Sequence, residues 1–86
     1  MKASHILVST KEQAEAILAE ANTLNFGQLA MQHSSCPSKA RGGDLGDFGP
    51  GMMVKPFEDA TVATPVGGIS QPVQTQFGYH LIHRTG

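Results

Sequence analysis

With 86 residues the chain has room for one domain, residues 1–86, whose single modest core would bury roughly 60% of its unfolded surface. Six Lys and Arg against seven Asp and Glu give a net charge of −1, so no basic field exists to draw in nucleic acid or anionic lipid. A single cysteine excludes an internal disulfide, no apolar run approaches the roughly 18 residues of a membrane span, and residues 1–10 lack the apolar centre of a signal peptide; a soluble, cytoplasmic protein without a membrane partner is expected.

The first element is a strand over residues 4–8, "SHILV", short and apolar enough to lie inside a sheet. A helix follows, with Ser9 and Glu12 at capping-box spacing and Ala14, Ile17, Leu18 and Ala21 forming one apolar face. Asn25 with Gln28 repeats the start signal, and Phe26, Leu29, Ala30 and His33 share a face, which predicts a second helix ending near Ser34. Next comes "RGGDLGDFGPG", residues 41–51, which holds five of the ten glycines. Its spacing fits neither phosphate-binding glycine pattern, so a nucleotide cofactor is not expected; a brief strand over 45–48 fits between the turns. Pro56 suits a first helical position, and the short helix it opens must stop before Pro65. The end of the chain reads as two strands around a turn near 76–78, with "YHLIH" the more apolar and the more central. The order is β-α-α-β-α-β-β.

Strand alternation puts His5 and Leu7 on one face of the first strand and His80 and Ile82 on one face of the last, so the two histidines meet if those strands are neighbours. Such a pair is as consistent with a structural hydrogen bond as with a site. His33 and His83 read as structural or solvated. Cys36 has three readings, a nucleophile, a metal ligand or a small group lining a pocket. The metal reading is weak because His33 and Cys36 form the only close pair, and the nucleophile reading is weak because "CPS" advertises no oxyanion hole. Met52, Met53, Val54 and Phe57 straddle a helix start after a glycine-proline turn, where apolar side chains either fill a core or line a cleft.

Taken together, "SHILV", "CPSKARGGDLGDF", "GMMVKPFEDA" and "QPVQTQFGYHLI" resemble, in order and from end to end, the parvulin family of peptidyl-prolyl cis/trans isomerases. The resemblance implies an α+β fold: a four-stranded antiparallel sheet surrounded by short helices, with the first and last strands central. It implies that His5 and His80 are the family's paired histidines, that Cys36 occupies a position filled by Cys or Asp, and that Thr75 bonds to the histidine cluster. An Asp at the Cys36 position cannot act as a thiol nucleophile, which favours a non-covalent role. Met53 and Phe57, with Leu45 beside them, match the proline pocket, and the glycine-rich segment would supply the turns and close packing that present Leu45. Val54 departs from a Gln found in several relatives, and Phe77 stands where some have Ser. The short "VSTKEQ" junction leaves no space for the basic loop of phosphate-directed parvulins. The implied activity is rotation about X-Pro bonds in peptides and in unfolded or partly folded proteins, by a monomer, with neither cofactor nor metal. The alternative is a peptide-binding or chaperone-like module on the same fold with little turnover.

Overall fold

The computed structural model describes all 86 residues. Its elements are β1 (Lys2–Val8), α1 (Lys11–Glu20), α2 (Phe26–His33), β2 (Asp44–Asp47), α3 (Lys55–Ala63), β3 (Val73–Thr75) and β4 (Gly78–Arg84). They form one four-stranded antiparallel sheet in the order β2-β1-β4-β3. The two most apolar strands are therefore central, β1 pairing with β4 from Ala3↔Arg84 to Val8↔Tyr79. No helix is long and apolar enough to cross a membrane.

Alternation along the central strands splits the core in two. On one face Ile6, Val8 and Leu81 pack beneath Ala14 and Ile17 of α1 and Phe26, Leu29 and Ala30 of α2. On the other face Ala3 and Ile82 pack with Phe48 and with Phe57 of α3. His5 and Leu7, then His80, share this second face; the register places His5 opposite Ile82 and Leu7 opposite His80, which leaves the two histidines diagonal neighbours.

The local signals account for most element ends, with four corrections. The cap of α1 is Thr10 rather than Ser9: its extended backbone and its hydroxyl, which accepts the Gln13 N–H at 3.2 Å, start the helix one residue later. Asn25 precedes α2 in helical conformation, so its side chain does not cap the helix. Instead, its Oδ1 accepts the Asn22 N–H, and Asn22 Oδ1 accepts the Leu24 and Asn25 N–H groups, an Asx turn that ties α1 to α2. His33 is exposed at the open end of the α2 face it was expected to share, while Phe26, Leu29 and Ala30 are buried. Pro56 lies at the second position of α3, after Val54 as N-cap and Lys55.

Between Cys36 and β2 the chain makes a 3-10 helix, Pro37–Arg41, that periodicity did not reveal because one turn has no hydrophobic repeat. Its left-handed exit through Gly42 delivers Gly43, whose φ of 81° and position against the His5 carbonyl exclude a side chain. The Gly43 carbonyl accepts the His5 N–H at 2.9 Å, so the glycine-rich segment is stitched directly to the histidine strand.

Candidate active site

On the α3 side of the sheet lies a cleft of about 490 Å3, the size of a small-ligand or peptide side-chain pocket. Its floor is His5, Leu7 and His80 from the central strands. Leu45 of β2 with Met53, Val54 and Phe57 at the entry to α3 form one part of its wall, and the Ser35–Cys36–Pro37 segment forms another. Met52 and Phe77, 69% and 61% exposed, form the rim. None of the lining residues carries a full charge at neutral pH.

Each wall has a local cause. Ser34 fixes the Cys36 segment: its hydroxyl accepts the Leu7 N–H at 3.0 Å and the Cys36 N–H at 3.3 Å, while the Ser35 N–H donates to the Leu7 carbonyl at 2.8 Å. Phe57 is held between Phe48, whose ring centroid is 6.2 Å away, and the two imidazoles, which it meets in T-shaped contacts with centroids 5.6 and 5.2 Å away. The far end of α3 is held by Arg84, whose guanidinium donates to the carbonyls of Thr61, Val62 and Thr64. Phe48, Ser34 and Arg84 support the site without any sequence motif that marks them.

The histidines are 5% and 4% exposed and face each other Nδ1 to Nδ1 at 3.0 Å. His80 Nε2 lies 2.7 Å from the Thr75 hydroxyl, which also accepts the Phe77 N–H at 3.1 Å. Both imidazoles are lowered to pKa values of about 4, His80 by burial and His5 by burial together with the proximity of His80. Both rings are thus neutral at pH 7, and a single proton lies between the two Nδ1 atoms. Either Thr75 donates to His80, which donates to His5, or the chain runs in reverse, from His5 through His80 to Thr75.

The structure brings His5, Cys36, Leu45, Met53, Val54, Phe57, Phe77 and His80 to one cleft, with Thr75 one hydrogen bond behind it. Cys36 lines the cleft but stands outside the hydrogen-bonded histidine chain, since its sulfur bonds to neither imidazole. A thiol with no base bonded to it lacks the arrangement that activates a nucleophile. His83, a half-buried histidine, packs against Phe26 on the opposite face at 5.4 Å between centroids, and burial lowers its pKa.

A charge-free cleft floored by a neutral histidine pair, on a β2-β1-β4-β3 sheet, defines a parvulin-type domain. The family model for rotamase, the PPIC-type PPIase domain, matches residues 5–86, and the chain belongs to that family. It is 48% identical to the foldase protein PrsA 4 of Bacillus cereus over 99% of its own length and 31% of that protein's. It is 46% identical to the peptidyl-prolyl cis-trans isomerase Pin1 of Arabidopsis thaliana, covering 93% of this chain and 72% of that one. Among solved structures, the parvulin of Nitrosopumilus maritimus superposes with a TM-score of 0.85 at 46% identity, covering 100% of this chain and 95% of the other. The chain thus spans about a third of the foldase relative's length.

Proposed function

We propose that this chain is a peptidyl-prolyl cis/trans isomerase that accelerates X-Pro rotation without covalent chemistry and thereby assists protein folding. The observation that carries the reading is the apolar, uncharged cleft closed at its floor by two neutral, mutually bonded histidines. Rotation about a peptide bond meets a barrier of about 18–20 kcal/mol because twisting breaks amide resonance. No bond need be made; the catalyst has to bind the twisted amide better than either planar form, each tenfold of rate requiring about 1.36 kcal/mol of such preference.

Leu45, Met53 and Phe57 hold the proline ring while the preceding carbonyl turns. The low-dielectric surround favours the twisted amide, in which less charge is separated between oxygen and nitrogen. The histidines keep the floor polar enough to accept an amide, yet neutral, and Thr75 fixes the His80 ring. Cys36 contributes bulk and polarisability to the wall.

The substrates are proline-containing segments of unfolded or partly folded chains, a reading the foldase relative supports. Phosphorylation before proline brings no advantage, because no Lys or Arg lines the cleft. The proposal extends to a monomer acting in the cytoplasm, where the Cys36 thiol remains reduced. Exchange spectroscopy on an unphosphorylated Ala-Pro peptide is the test. Accelerated exchange between the cis and trans resonances is expected; shifted resonances without exchange would instead identify a peptide-binding module.

A further inference from the structure

Two buried side-chain atoms have no hydrogen-bond partner in the fold: Nε2 of His5 and the hydroxyl of Ser38. Both residues are 5% exposed. Their backbones are bonded to the same glycine. The Gly43 N–H donates to the Ser38 carbonyl at 2.9 Å, and the Gly43 carbonyl accepts the His5 N–H at 2.9 Å, so one glycine separates them. Leaving a polar atom buried and unpaired is costly. A serine hydroxyl can take three staggered positions about its Cα–Cβ bond, and an imidazole nitrogen can either donate or accept, so the two are chemically matched.

We propose that the Ser38 hydroxyl donates to Nε2 of His5 and sets the direction of the whole histidine chain, which makes Ser38 a positioning residue of the cleft. The direction follows from which hydroxyl can leave its proton elsewhere. If Thr75 donates to His80, His80 donates to His5 and His5 Nε2–H reaches Ser38, the buried Ser38 proton has no acceptor. In the reverse order Ser38 donates to His5, His5 Nδ1–H to His80, and His80 Nε2–H to Thr75. The remaining proton is then that of Thr75, a half-buried residue next to the rim. Thr75 Oγ1 would accept from His80 and from Phe77 N–H, with its own O–H free to donate.

The functional consequence rests on the isomerase reading: Ser38, which does not line the cleft, leaves a donor at the Phe77 edge that can bond a substrate carbonyl. In the opposite order Thr75 spends that proton on His80 and can only accept.

Long-range proton–nitrogen NMR of the full chain at pH 7.5 tests this, because protonated and unprotonated ring nitrogens have well-separated nitrogen shifts. In the native protein His5 is expected to be protonated at Nδ1 and His80 at Nε2; the opposite assignment overturns the proposal even if no variant folds. Ser38→Ala should move the His5 Nε2 resonance toward that of a free imidazole nitrogen and lower kcat/KM several-fold, and Ser38→Thr should restore both. An unmoved resonance in folded Ser38→Ala would equally overturn it. Should the native protein show the expected order yet fail to accelerate X-Pro exchange, the isomerase reading falls and the coupling of Ser38 to His5 stands.

Discussion

The two faces of the central strand pair are built from alternate residues of the same segments, yet they have opposite characters. Beneath α1 and α2, Ile6, Val8 and Leu81 pack with apolar side chains of both helices and close into the larger cluster. Beneath α3, the same strands present His5, Leu7 and His80, and the smaller cluster of Ala3, Phe48, Phe57 and Ile82 fills only part of the space. The remainder is the cleft. One face carries the stability that lets the other keep two desolvated imidazoles and an open pocket, features that a core optimised for packing would lack.

The largest effects should come from removing one aromatic ring on each side. Phe26→Ala and Phe57→Ala each truncate a fully buried ring and should each cost about 3–5 kcal/mol in denaturant unfolding. Their catalytic effects should differ. The native fraction of Phe26→Ala should retain nearly full kcat/KM, whereas Phe57→Ala should lose most of it, since on the isomerase reading this ring walls the proline pocket. Equal activity per folded molecule in the two variants would return Phe57 to the core.

Acidification should separate the faces next. Both cleft histidines have folded-state pKa values of about 4 against an ordinary 6.5, so the unfolded chain binds more protons between those values. The stability they contribute is therefore complete above pH 6.5 and is lost as pH falls toward 4. The loss is roughly 3 kcal/mol for the first ring to charge. Thermal melts at pH 7.5, 5.5 and 4 should show it, and replacing both histidines with an uncharged pair such as Asn should flatten the profile. A slope that survives that replacement would place the acid sensitivity elsewhere.

Much of this was legible in the residues because period and composition act locally. The histidine-bearing strands, their central position and the start of α3 all follow from alternation, apolar content and proline chemistry. The family resemblance, rather than periodicity, supplied the expectation that Thr75 bonds to the histidines and that Leu45 stands beside Met53 and Phe57. What stayed hidden depends on contacts distant in sequence. Nothing near Ser34 or Ser38 signals that one will pin the Cys36 wall to β1 and the other will lie buried one residue from His5. The Cys36 position was legible, but its separation from the histidine chain is a matter of side-chain direction, which spacing does not determine.

The smallest effects should come from the wall itself, where chemistry can change while shape is kept. A covalent mechanism needs the Cys36 sulfur, whereas a desolvating cleft needs only a compact group in that place. Cys36→Ser should therefore keep activity within a few-fold of the native protein. Cys36→Asp should also remain active, with a pH profile altered because a partly buried carboxylate favours protonation of the nearby imidazoles. Inhibition by an alkylating agent would not discriminate, since added bulk alone blocks the cleft. The deciding measurement pairs exchange rates for both variants with mass spectrometry of the native enzyme during turnover: folded but inactive Ser and Asp variants, together with a trapped thiol adduct, would replace the desolvation mechanism with a covalent one, while active variants and an unmodified thiol leave Cys36 as wall.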